Sequence, residues 1–65
     1  MDERLIEIKV ALVRRRRSIK ELWASYTRNH PDIKRRQFMY YLGGYAGRSI
    51  PDNFIAECED LVKTI

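Results

Sequence analysis

The sequence predicts a small all-α domain of four to five helices containing a helix-turn-helix, with residues 1–65 forming a single domain. Three observations point there. Apolar side chains recur at helical spacing in four segments, Ser, Asn, Pro and Gly stand where those segments start and stop, and no segment alternates convincingly as a strand. With 65 residues, one small core must hold the chain, because a domain of this size buries only about 60% of its unfolded surface.

The first helix is predicted over residues 3–15. Leu5, Ile6, Ile8, Val10, Ala11, Leu12 and Val13 form a broad apolar stripe without proline or glycine. The alternation Ile6, Ile8, Val10 also fits a strand, but only a helix accommodates the apolar run through Ala11, Leu12 and Val13. Ser18 followed by Glu21 is a capping box opening a second helix over 19–27, with Ile19, Leu22, Trp23 and Tyr26 on one face. Asn29 is the next capping residue and Pro31 suits a first helical turn, so a third helix is expected over 31–42. That helix is basic in its first half (Lys34, Arg35, Arg36) and aromatic in its second (Phe38, Tyr40, Tyr41), and Gly43-Gly44-Tyr45-Ala46-Gly47 ends it. Ser49 with Asp52, and Pro51 between them, resemble another capping box. In the fourth helix Ile50, Phe54, Ile55, Cys58, Leu61, Val62 and Ile65 fall on one continuous stripe, opposite an acidic face.

The charge is unevenly placed. Residues 14–36 hold nine basic and two acidic side chains, while residues 51–65 hold four acids and one lysine. A net charge of +4 gathered this way suits a polyanionic partner. The apolar fraction of 45% is too high for a disordered tail, and three Gly with two Pro exclude linker or collagen-like composition. The longest apolar run, Phe38 to Leu42, is far too short for a bilayer, so no membrane association is expected. Residues 1–20 lack the order of a signal peptide and Met1 reads as a native start. The single cysteine, Cys58, cannot form an internal disulfide, which suits a reduced, cytoplasmic and nucleoid-associated setting.

Two short helices, 19–27 and 31–42, joined by a few residues and with basic groups on the second, outline a helix-turn-helix. In that motif the start of the second helix meets base edges in the major groove, while flanking cations and the helix N-terminus meet phosphates. Asn29, His30, Lys34 and Arg35 are the expected base contacts, since arginine pairs bidentately with guanine and asparagine with adenine. Arg14, Arg15, Arg16, Arg17, Lys20, Arg28, Arg36 and Arg48 are the expected phosphate contacts. A second register starts the recognition helix near Lys34 and presents Arg35, Arg36, Gln37 and Met39 instead; the first is preferred.

At these residues the chain resembles the lambda-repressor-like, or Cro/C1-type, helix-turn-helix family. Ser18-Ile19-Lys20-Glu21-Leu22-Trp23 is similar to the family's Ser-x-x-Glu-Leu-Ala opening. Tyr26 and Ile33 stand where the family keeps apolar residues, and Gly47-Arg48-Ser49-Ile50-Pro51 looks like its approach to the last helix. The family usually has a small residue at the place of Trp23 and often glycine at that of Thr27. The resemblance covers about residues 5–64 and implies a small phage- or mobile-element-type transcriptional repressor that occupies an operator in double-stranded DNA. RNA polymerase or another phage or host protein is a further candidate partner.

A homodimer is expected, because one short recognition helix reads only a few base pairs. Its surface, or else the core, is assigned to Tyr40, Tyr41, Tyr45, Phe54, Cys58, Leu61 and Val62. Trp23 is read as core, and Cys58 as a buried small hydrophobe. His30 is the only histidine and has no metal-type ligand beside it, so no metal site and no cofactor are expected. The glycine stretch lacks the Gly-Lys-Ser/Thr ending of a phosphate loop and follows a helix. No paired acid and base appears, and an enzyme is not expected. Two other readings stay open: a helical adaptor or inhibitor binding another protein through the acidic, apolar-striped fourth helix, and an RNA-binding protein using the arginines and tyrosines.

Overall fold

The computed structural model describes residues 3–65, and of Arg48 the backbone alone. Its elements are α1 (Glu3–Arg14), α2 (Ile19–Asn29), α3 (Arg35–Leu42), a single 3-10 turn (Gly47–Ser49) and α4 (Asp52–Leu61), with no strand among the described residues. The all-α expectation is met, and the 3-10 turn is the fifth, short piece.

Each helix contributes its stripe to one core. Leu5, Ile8 and Leu12 of α1, Leu22 and Tyr26 of α2, Phe38 and Leu42 of α3, and Phe54, Ile55 and Cys58 of α4, followed by Val62, are all buried. Five rings join three helices at the centre. Phe38 lies 5.1 Å from Trp23, 5.5 Å from Tyr26 and 5.6 Å from Phe54, centroid to centroid, and Phe54 in turn meets Tyr26 and Tyr41 at 5.2 Å. Most of these contacts are edge-to-face, the arrangement that sets the positive rim of one ring on the negative face of another. Among the described residues no buried charged side chain interrupts the core.

The helix ends show which local signals prevailed. Ser18 caps α2 as expected, its Oγ accepting the Glu21 N–H at 3.3 Å, while the Glu21 carboxylate turns to Arg17. The third helix begins at Arg35, not at residue 31, and α2 runs on through Asn29, so Asn29 caps nothing. Pro31 is what ends α2. Its ring forbids helical geometry to His30, which stands at φ −136° and ψ 68°. Pro31 then occupies the second place of a turn closed by the Ile33 N–H donating to the His30 carbonyl at 3.3 Å. A proline φ suits both a first helical turn and this position, so the sequence alone does not separate them. The Ser49–Asp52 capping box does not form either. Ser49 belongs to the 3-10 turn, and α4 starts after Pro51 with no side-chain cap. The glycine stretch ends α3 with Gly44 at φ +80°, and Gly43 leaves room for the Tyr45 ring, which any Cβ there would approach to 2.6 Å.

The end of α1 is less ordinary. Arg16 has φ +57°, the Arg17 N–H donates to the Leu12 carbonyl at 2.9 Å and the Arg16 N–H to that of Val13 at 3.0 Å. This is a Schellman ending with arginine where glycine is usual. Left-handed geometry costs an L-residue about 1–2 kcal/mol. Arg16→Gly is therefore expected to stabilise the fold by about 1 kcal/mol, read as a higher melting temperature; an unchanged or lower one would place the strain elsewhere. Phe38→Ala should do the opposite, costing about 3–5 kcal/mol in a denaturant titration, because it empties the contact point of three helices.

Candidate nucleic-acid interface

The stretch that joins α2 to α3 and its flanks gather four cations, Arg28, Lys34, Arg35 and Arg36, with one acid, Asp32. Arg28 and Asn29 are exposed in the last turn of α2, Lys34 stands at the N-cap of α3, and Arg35 and Arg36 occupy its first turn. That first turn contains no acid and no capping side chain. Cations at the positive end of a helix oppose its dipole and cost a few tenths to about 1 kcal/mol each. None of Arg28, Lys34, Arg35 and Arg36 has an ion-pair partner among the described residues. The turn is thus a cluster of cations and first-turn N–H groups all suited to an anion.

The packing of α3 decides which side chains stand outward. Phe38 and Leu42 are buried and Met39 packs against the core, so the opposite side presents Arg36, Gln37 and Tyr40. Gln37 donates to the Tyr41 hydroxyl at 2.9 Å, which holds its amide along the helix surface. Tyr40 stacks on the exposed Tyr45 at 6.1 Å. The later start of α3 corresponds to the second of the two registers read from the sequence, with Met39 withdrawn into the core. Arg36 and Gln37, rather than Asn29 and His30, head the exposed face.

His30 is occupied by the fold. Its Nε2 stands 2.7 Å from both carboxylate oxygens of Glu57 in α4, and its ring stacks on Tyr26 at 4.5 Å. It ties the turn to α4 through its Nε2. Nothing in the sequence marks this pair, because its members lie 27 positions apart.

The arginine run separates into different jobs. Arg15 donates to the carbonyls of Ile65 and Lys63 at 3.0 and 2.9 Å, holding the end of the chain against α1. Arg17 pairs with Glu21 at 3.4 Å. Arg14 stands on the outer side of α1, and Arg16 and Lys20 are exposed without an ion pair among the described residues. Of the predicted phosphate contacts, Arg48 lies outside the residues whose side chains are described.

The residues assigned to a dimer surface or the core also divide. Phe54, Cys58 and Val62 are buried, Tyr41 and Leu61 are half-buried, and Tyr40 and Tyr45 are exposed. Burial pushes the Cys58 thiol up to about 12, leaving it neutral and unreactive. Among the described residues no group of three or more His, Cys, Asp or Glu is placed to hold a metal ion, and no helix is long and apolar enough to cross a membrane. The chain matches no family model, no curated protein and no solved structure.

One cation network could not be read from the sequence. Arg4 reaches Asp52 at 2.5 Å and Glu59 at 2.6 Å, joining α1 to both ends of α4. The hydrogen bond from Arg4 holds the Glu59 carboxyl below the ordinary value of about 4.5. A depressed carboxylate stabilises the fold above its unfolded value, and the contribution is lost as pH falls through the lower folded one. Arg4→Met is expected to flatten the acid side of the stability curve, its melting temperature falling less than the wild type's between about pH 6 and about pH 3. Parallel curves would show that the pair contributes nothing in solution.

Proposed function

We propose that this protein binds double-stranded DNA sequence-specifically through a helix-turn-helix made of α2 and α3, and regulates transcription by occupying an operator. The observation that carries the reading is the start of α3. Lys34, Arg35 and Arg36 crowd an uncapped helix N-terminus against the helix dipole, with no acid in the helix's first turn and one, Asp32, in the turn before it. Folding alone disfavours that arrangement, and a phosphate backbone favours it.

In this mechanism the N-terminus of α3 enters the major groove. Arg36 reads guanine and Gln37 reads adenine, the bidentate partners their side chains suit. Lys34 and Arg35 meet phosphates at the lip of the groove, with Arg28 and Lys20 flanking them, and supply affinity without sequence information. The core-held Phe38 fixes the rotation of α3 and therefore which residues face outward. Regulation is steric: the occupied site excludes or contacts polymerase. Two copies double the length of sequence read, which places half-sites about 34 Å apart.

The protein-binding alternative drew on the apolar stripe and acids of the fourth helix. Phe54, Ile55 and Cys58 of that stripe are now in the core, and Glu57 and Glu59 are engaged by His30 and Arg4. The part of that stripe inside the core and those two carboxylates are therefore not free for a partner protein.

The test is selection from a pool of random duplex DNA at low and at physiological salt, followed by sequencing. An enriched motif is expected. Arg36→Ala should cost about 1–3 kcal/mol on that motif and little on random DNA, whereas Lys34→Ala should weaken both alike and lower the salt slope by about one. Binding without enrichment at either salt would reduce the site to a non-specific electrostatic patch.

A further inference from the structure

The last helix does not offer a free apolar face, but α1 does. Ile6 is 41% exposed and Val13 76% exposed, and with Val10 they fall at i, i+4 and i+7, on the side away from the buried Leu5, Ile8 and Leu12. Ile6, Lys9, Val10, Val13 and Arg14 line a shallow concavity of about 480 Å³ that lies wholly on this one helix. Residues 6, 9, 10 and 13 follow the i, i+3, i+4, i+7 pattern of a hole that receives a side chain from a facing helix.

The charges beside this stripe say what faces it. Glu3, Glu7 and Arg14 are exposed and have no ion-pair partner among the described residues. At 100° per residue all three fall on the same edge of the stripe, acids toward the N-terminal end and arginine in the last turn. A second α1 running in the opposite direction meets that edge with its own. Glu7 of each copy then comes beside Arg14 of the other, twice, by symmetry. A parallel copy would not bring this edge against itself.

We propose that α1 is the homodimer face of this protein, two copies pairing antiparallel about a two-fold axis near Lys9 and Val10, with Ile6 of each packed on Val13 of the other. The contact is isologous, so one patch serves both sides and the assembly closes at two. Two helices of 12 residues meet over about 18 Å, less than a standard interface of about 1,600 Å² requires, so the dimer is weak in solution. The inference concerns the protein alone and is tested without DNA, so its failure would leave the DNA-binding proposal standing.

Sedimentation equilibrium at low salt, from about 10 µM to about 1 mM protein, reads the association directly. The wild type should show a monomer–dimer equilibrium. Val13→Asp, at a position too exposed to disturb the core, should weaken it by about tenfold or more with an unchanged circular dichroism spectrum. Arg14→Glu and Glu7→Arg should each weaken it by about tenfold, and the double variant should recover most of the loss. A wild type that stays monomeric across the range would overturn the proposal and leave the stripe to a different protein. A dimer indifferent to Val13→Asp, or a double variant weaker than either single one, would overturn it as well.

Discussion

Phe38 touches Trp23, Tyr26 and Phe54 at once, and those contacts lock α3 against α2 and α4. A helix of eight residues is too short to persist in water on its own. Its existence, its rotation and the outward presentation of Arg36 and Gln37 therefore all follow from where one ring is buried. The large residue at position 23 acts in the same way. Partly buried against the core, its indole meets Phe38 edge-to-face at 5.1 Å and so adds a contact between α2 and α3.

Around that core, polar links fix the periphery at three places. His30 with Glu57 holds the turn before α3 against α4. Arg4 ties α1 to Asp52 and Glu59, and Arg15 gathers the carbonyls of Lys63 and Ile65. These links use up several of the acids of α4 and one of the four consecutive arginines. Among the charges left without an ion pair among the described residues are Arg28, Lys34, Arg35 and Arg36 around the turn and the start of α3, Arg16 and Lys20 between α1 and α2, and the mixed charges beside the apolar stripe of α1. The same basic sequence thus divides into cations that hold the fold and cations that face solvent, a division governed by which carboxylates and carbonyls lie near.

Much of the fold was legible because the signals were local. The stripe Phe54, Ile55, Cys58, Val62 and the Ser18 cap depend only on residues within a turn or two; the stripe is buried as read, and of the capping box the serine's half forms while Glu21 pairs with Arg17. The start of α3 was not legible. Pro31 satisfies a helix's first turn and a reverse turn equally, and the choice was made by His30 and Ile33 finding partners on α4 and in the core. The proposed base contacts move with it, because Arg36 and Gln37 head the exposed face of α3 while His30 is engaged by Glu57. Arg4 gave no signal at all, since its two carboxylates stand 48 and 55 positions away.

The sequence by itself determined an all-α chain, the helix that Ser18 opens, the apolar stripes and a concentration of positive charge in the middle, because spacing, capping and net charge are properties of neighbouring residues. Only the tertiary structure decided where α3 begins, which cations are spent on carbonyls and carboxylates, and which apolar stripe stays outside the core. Those outcomes depend on distances between residues far apart in sequence, and such distances are set only when the helices pack on one another.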